Sequence, residues 1–178
     1  AIVVISYNRC ATLRETLWRL REHLDYAGPR QLVIADDGSD DGTQAMLAEE
    51  YPDAVLVQSS RVGLGANANA GLRQALTFAD YIYQSQDDLW LLHHFDLHPH
   101  IERLMNDPTC GFVRLWGAGG HRYKGTLEGN HWRIHWDSDE LYIPSDRPHV
   151  KHRRFHDFFG MYPEGLDTAT TEDAWCHG

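Results

Sequence analysis

Apolar residues in the first half of the chain fall into short runs separated by amphipathic stretches. The runs Ala1 to Ile5, Gln31 to Ala35, Ala54 to Gln58 and Tyr81 to Ser85 have the length and composition of buried strands. Between them Leu13 to Leu24 is amphipathic, and Asp41 to Glu50 and Ala66 to Phe78 read as helices. This βαβ alternation predicts a mostly parallel sheet covered by helices on both faces. After Asp88 the rhythm changes. A short helix around Ile101 to Met105, introduced by Pro99, precedes aromatic- and glycine-rich segments from Gly111 to Tyr142, and Thr170 to His177 begins a last helix. The middle segments suit short mixed strands and long loops, where binding specificity tends to reside. With no repeat and no low-complexity linker, the expectation is one α/β domain over 1–178: a parallel half, 1–88, and a smaller mixed or antiparallel half, 89–178.

Composition narrows the function. The 178 residues, 42% of them hydrophobic, can bury one core. A formal charge of -10 leaves no basic stripe for nucleic acid. A small phosphorylated ligand stays open, because a local pocket of metal, arginine and backbone N–H groups outweighs the field of the whole molecule. Cys10, Cys110 and Cys176 are odd in number, widely spaced and form no CxxC pair, so they read as reduced thiols rather than a disulfide framework or zinc knuckle. No apolar run approaches the roughly 20 residues that cross a bilayer, and Ala1 opens directly into a strand without a signal peptide. The expected location is cytoplasmic, at most on the cytoplasmic face of a membrane. Without an initiator Met, and ending at Gly178 inside a helical stretch, the sequence reads as part of a longer chain.

Three acidic clusters carry the candidate chemistry: Asp36-Asp37-Gly38-Ser39 after one strand, Asp87-Asp88 after another, and Glu172-Asp173 at a helix start. In a parallel sheet the first two emerge at the carboxyl ends of strands, the edge where open α/β folds bind ligands. Carboxylates gathered there without lysines repel one another unless a divalent cation or a hydrogen-bonding ligand fills the gap, and a hard cation bridging phosphate oxygens does so. Each residue also has an ordinary reading. Asp36 to Gly42 suits a turn and helix cap, Asp87-Asp88 a solvated loop, Tyr7 strand packing, and Thr170-x-x-Asp173 a capping box. Those readings lose by conjunction, since all would have to fall at strand ends in one order by accident.

The stretches Val3-Val4-Ile5-Ser6-Tyr7-Asn8-Arg9, Ala35-Asp36-Asp37-Gly38-Ser39-Asp40-Asp41-Gly42-Thr43, Gly63 through Asn69-Ala70-Gly71, Gln86-Asp87-Asp88 and Thr171-Glu172-Asp173 together resemble the family-two glycosyltransferases, inverting enzymes with a GT-A fold. The resemblance runs from residue 1 to about 106 and returns at the end. It implies that Tyr7 lies against a nucleotide base and that Asp37 accepts a hydrogen bond from that base. Asp87 would hold the ribose, while Asp88 would ligate a Mn²⁺ or Mg²⁺ ion on the diphosphate. Ser6, Arg9, Arg61 and Gly63 would complete the nucleotide site, and Asp173 would be the catalytic base. The first half then binds the nucleotide, and the second holds the acceptor and the base. A UDP-sugar donor and a glycan, lipid-linked or small-molecule hydroxyl acceptor are implied, as in polysaccharide biosynthesis. The family's usual Ala-Arg-Asn-x-Gly is Asn67-Ala68-Asn69-Ala70-Gly71 here, so Arg9 or Arg61 must restore the cation, and Arg9 is the better placed, directly following the strand of Tyr7.

Inversion needs one base for the acceptor proton and one electrophile for the departing diphosphate. An aspartate in the first turn of a helix, with a reference pKa of about 3.9, stays ionised for that task. No Ser-His or Cys-His elbow offers a covalent route. Among the histidines, His94 and His98 have clamp spacing, but Pro99 should break the helix a clamp needs. They read as solvated surface or as contacts to a polar acceptor. His177, one turn after Asp173, is a further candidate for metal or acceptor. Trp90, Trp116, Trp132, Trp136 and Trp175 serve either as core or as a sugar-stacking platform, with Trp90 and Glu172 the acceptor-side candidates. Two competing functions are a nucleotidyltransferase, which would need a glycine- and lysine-rich loop where Ser6 to Arg9 stands, and a noncatalytic sugar- or metal-binding domain.

Overall fold

A computed structural model describes residues 1–115, 124–135 and 147–177, with the backbone alone at 172 and 175–177. In chain order the elements are β1 (Ile2–Ser6), α1 (Cys10–His23), β2 (Leu24–Asp25), β3 (Leu32–Asp36), α2 (Thr43–Glu50), β4 (Val55–Gln58), α3 (Leu64–Ala75) and β5 (Tyr81–Gln86). There follow β6 (Phe95–Asp96), α4 (His98–Asn106), β7 (Phe112–Arg114), β8 (Gly125–Glu128), β9 (His131–Ile134), β10 (His149–His152), α5 (Arg154–Phe159) and α6 (Thr168–His177). Six strands form one sheet in the order β4-β3-β1-β5-β10-β7. β4, β3, β1 and β5 are parallel, and β10 runs antiparallel to both of its neighbours.

The central strands β1 and β3 are almost continuously apolar because both faces of the sheet are covered. Val4, Ile34, Tyr83 and Val150 face α1, α2 and α4 through Leu13, Leu17, Met46, Leu47 and Leu104. Their neighbours Val3, Ile5, Val33 and Ile82 face α3 through Ala68, Leu72 and Ala75. From β1 the chain moves outward to β3 and β4, then returns to β5 on β1's other side. The order therefore reverses between β1 and β5, the switch point at whose carboxyl ends open α/β sheets bind ligands in a crevice. No described helix is long and apolar enough to cross a membrane.

Helix α3 sits close to its surroundings because its contact face carries glycines. A Cβ on Gly71 would lie 2.8 Å from the Cβ of Ala35, and one on Gly65 would lie 1.9 Å from the carbonyl oxygen of Pro163. The segment after α5 runs along α3: Asn69 Nδ2 donates to the Tyr162 carbonyl (2.9 Å) and the Tyr162 N–H donates back to Asn69 Oδ1 (3.0 Å). Thr171 packs against Gly65. This route brings α6 to the start of α3, at the carboxyl edge of the sheet.

The sequence pattern misses some elements. Strand β10 reads His-Val-Lys-His, with no strand periodicity, yet His149, Val150 and Lys151 are all buried. Lys151 Nζ donates to Gln84 Oε1 (2.7 Å) and lies 5.1 Å from the centre of the Tyr162 ring, so polar partners and an aromatic face accommodate it. Burial holds its ammonium well below the ordinary lysine range. Pro99, by contrast, opens α4 in its first turn as expected, and no helix spans His94 to His98. The β8–β9 hairpin docks on α4 through charge: Arg103 reaches Asp107 (2.8 Å) and Glu128, while Arg133 reaches Glu128 (2.7 Å) and Asp107.

Two outcomes follow from this packing. Gly65→Ala forces a methyl into the Pro163 carbonyl and is expected to cost about 1–3 kcal/mol, measured by urea unfolding. For Lys151, the unfolded chain binds a proton that the folded protein refuses. Stability therefore falls as pH drops below the unfolded value of about 10.4 and levels off at the folded pKa. Wild type should accordingly lose stability relative to Lys151→Met between pH 10 and pH 7, and a difference constant across that range would show a charged Lys151.

Candidate active site

Ser6, Asp36 and Gln86 end β1, β3 and β5, and register pairs Ser6 with Asp36 and Ile5 with Gln86. Tyr7, Asp37 and Asp87 thus step off one edge together. The Tyr7-Asn8-Arg9 turn is fixed at Asn8, which adopts a left-handed φ of 51°. Its N–H donates to Ser39 Oγ (2.8 Å), and its Oδ1 accepts from the Asp40 N–H (2.8 Å). Ser39 in turn donates its N–H and hydroxyl to Asp36. The Asp41 carboxylate accepts from the N–H of Cys10 (2.7 Å) and of Thr43 (3.2 Å), capping α1 and α2 at once. The ordinary turn-and-cap reading therefore holds for Asp36, Ser39 and Asp41.

Asp37 is 7% exposed and organises the opposite wall. Its Oδ1 accepts the Val62 N–H (2.8 Å) and its Oδ2 the Gly63 N–H (2.9 Å), which pins the loop before α3. On that loop Arg61, with φ 56°, pairs with Asp40 (2.9 Å) and lies 6.0 Å from the centre of the Tyr7 ring. Tyr7 is 42% exposed, so its ring is not strand packing but a surface beside Arg61. Tyr7, Asp37, Arg61 and Gly63 are gathered on one side of the crevice.

Asp87 and Asp88 form its floor. Asp87 is buried: Oδ2 accepts from Ser6 Oγ (2.8 Å), and Oδ1 lies 3.4 Å from Arg9 Nη1. Burial pushes its carboxyl up from the ordinary range, against the pull of the Ser6 hydrogen bond and the Arg9 charge. Asp88 is exposed, 2.5 Å from the same Nη1 of Arg9. Of the two candidate replacements for the missing arginine, Arg9 meets the aspartates and Arg61 is engaged with Asp40. Ala68 itself is buried in the core cluster facing the sheet. Two contributors were not legible: Thr16, whose hydroxyl donates to the Asp87 carbonyl, and Asn67, whose Nδ2 donates to the Ala35 carbonyl (2.9 Å). Thr16 sits in no pattern that distinguishes it from an ordinary helix residue, and the Asn67-to-Gly71 stretch points to its missing arginine rather than to Asn67.

Asp173 is exposed on α6, whose start lies against the start of α3. The residue that caps α6 is Asp167, which accepts from the Thr170 N–H (2.9 Å) and hydroxyl, so the capping-box reading of Thr170-x-x-Asp173 does not hold. Asp173 also falls on the second turn of α6 rather than the first. Trp90 is exposed near Asp88, with Arg19 at 5.1 Å from its ring centre. The side chains of Glu172, Trp175 and His177, and all of Trp116 and Trp136, lie outside the described residues. His98 pairs with Asp96 (2.7 Å) and His94 with Asp25 (3.4 Å), so the two do not converge as a clamp.

Asp88 suits a hard divalent ion, being an accessible carboxylate at the crevice floor. Among the described residues no group of three or more His, Cys, Asp or Glu converges. An ion there would draw the rest of its shell from phosphate oxygens and water, as Mg²⁺ and Mn²⁺ readily do.

The Glycosyl transferase family 2 model matches residues 1–163. Among solved structures, the chain is similar to the mannosyltransferase PcManGT from Pyrobaculum calidifontis in complex with GDP-Man and Mn²⁺, at 21% identity and TM-score 0.65, over 97% of this chain and 49% of that one. S. aureus TarS 1-349 in complex with UDP matches at 17% identity and TM-score 0.68, over 98% and 53%. The same protein in complex with UDP-GlcNAc matches at 18% identity and TM-score 0.68, over 98% and 51%. The chain spans about half the length of these structures, and at such identities the likeness is one of fold. With the GT-A architecture shared and the family pattern matched over residues 1–163, the chain belongs to glycosyl transferase family 2.

Proposed function

We propose that the chain is the donor-binding and catalytic part of an inverting glycosyltransferase that moves a sugar from a UDP-sugar to a hydroxyl acceptor. The observation that supports this reading best is the meeting of Tyr7, Asp37 and the Asp87-Asp88 pair, from three separate strand ends, at the β1/β5 crevice. The exposed Tyr7 ring offers a stacking face to the base, and Arg61 borders it. Each Asp37 oxygen accepts one backbone N–H and keeps a lone pair for a base N–H. Asp87, oriented by Ser6, accepts from ribose hydroxyls.

In the reaction the acceptor oxygen attacks the anomeric carbon from the face opposite the diphosphate. The C–O bond to the diphosphate breaks, and the Asp173 carboxylate takes the acceptor's proton. A Mn²⁺ or Mg²⁺ ion held by Asp88 would neutralise the diphosphate as it departs. Arg9 adds a second positive charge on the leaving-group side. Residues 1–88 hold the donor, and 89–178 shape the acceptor side, with Trp90 offering an exposed aromatic face for a pyranose. Glu172 and His177 flank Asp173 in sequence as further acceptor or metal groups. The related structures hold UDP, UDP-GlcNAc and GDP-Man, so the fold admits either base and the donor is a matter for direct test.

Asp173→Asn is expected to lower transfer by about 10²–10⁴-fold while calorimetry finds UDP affinity unchanged. Turnover surviving that replacement would remove Asp173 as the base. A screen of nucleotide-sugars for release of free nucleoside diphosphate should single out a uridine donor, and a guanosine donor in its place would correct the base assignment.

A further inference from the structure

We infer that Arg9 is a built-in counter-cation for Asp88, so that a divalent ion enters together with a nucleoside diphosphate rather than ahead of it. The inference rests on the proposed role of Asp88 as metal ligand. One guanidinium nitrogen of Arg9 serves both carboxylates, at 2.5 Å from Asp88 Oδ2 and 3.4 Å from Asp87 Oδ1. The backbone beneath it is fixed by the Asn8 lock, whereas its side chain is 52% exposed and has room to swing. No other arginine substitutes among the described residues at this spot: Arg61 is held by Asp40, and Ala68 fills the helix position.

Adjacent carboxylates at the end of β5 repel, and the guanidinium relieves that repulsion in the ligand-free protein. A divalent ion approaching Asp88 alone must displace Arg9 and then sit beside the cation it displaced. Both effects weaken its binding. A diphosphate changes the balance, because its oxygens ligate the ion and also accept the freed guanidinium, whose planar fork suits phosphate. Nucleotide and ion therefore raise each other's affinity by one common factor. Arg9 makes that factor large by opposing the ion when it comes alone and by gripping the diphosphate when both come.

The signature is a change of opposite sign in two states, which a merely structural residue does not produce. Mn²⁺ binding is followed by the electron paramagnetic resonance signal of the free ion, and UDP binding in saturating Mn²⁺ by calorimetry. Arg9→Met should bind Mn²⁺ alone about two- to fivefold more tightly than wild type, the span of an exposed ion pair. It should bind UDP with Mn²⁺ about tenfold more weakly. Arg9→Lys, which keeps charge without the fork, should fall between on both measures. On an Asp88→Asn background the gain in Mn²⁺ affinity from Arg9→Met should vanish. Mn²⁺ affinity unchanged or weakened in both Arg9 variants, with wild type still showing Mn²⁺-dependent UDP binding, overturns the counter-cation role and leaves the donor site standing. Wild-type UDP binding indifferent to Mn²⁺ overturns the role of Asp88, and this inference with it.

Discussion

Two adjacent carboxylates at the end of β5 set the terms for the whole crevice. Asp87 is buried and must be satisfied from within, so Ser6 at the end of β1 turns its hydroxyl onto it and Thr16 of α1 bonds the carbonyl behind it. Those contacts bind β1, α1 and β5 together at the point where the strand order reverses. Asp88 is left outward, where the exposed guanidinium of Arg9 answers its charge. Burial thus sets two chemically identical neighbours apart: Asp87 is a fixed acceptor, and Asp88 keeps an accessible carboxylate.

The opposite wall rests on backbone amides rather than charge pairs. Asp37 spends one lone pair of each oxygen on Val62 and Gly63 and so holds the loop that carries Arg61 beside Tyr7. Removing its charge would weaken both contacts that hold the loop. Asp36, Ser39 and Asp41 make the same point more strongly. Their side chains are consumed by turns and by the caps of α1 and α2, yet without them Tyr7 and Arg9 would not leave β1 at a defined angle.

The parallel half was legible because its strands are buried on both faces and therefore carry long apolar runs, with helices at regular intervals between them. Tyr7, Asp37, Asp87 and Asp88 could be grouped from sequence for a related reason, since residues following such strands share one edge. The second half hid its structure in polar residues. His149 and Lys151 are buried within a sheet that has no apolar alternation to announce it, and the β8–β9 hairpin is docked by arginine–carboxylate pairs that in sequence look like solvated charge. Pro99 was legible on both counts: it opens α4, where its missing N–H costs nothing, and it leaves no helix across His94 and His98.

What joins the two halves is the return path along α3. Asn69 and Gly71 belong to the Asn67-to-Gly71 stretch that lacks the family's arginine, and here Asn69 clasps the backbone of Tyr162 and Gly71 lets α3 approach Ala35. Their effect on chemistry is indirect. The clasp carries the chain from β10 and α5 back to Gly65, where Thr171 packs and α6 begins. The helix bearing Asp173 is thereby tied to the same α3 terminus that Asp37 holds through Gly63. Asp173 and the wall built by Tyr7 and Asp37, which come from distant stretches of chain, thus share one support, and their separation is governed by the packing of a single helix rather than by a loop.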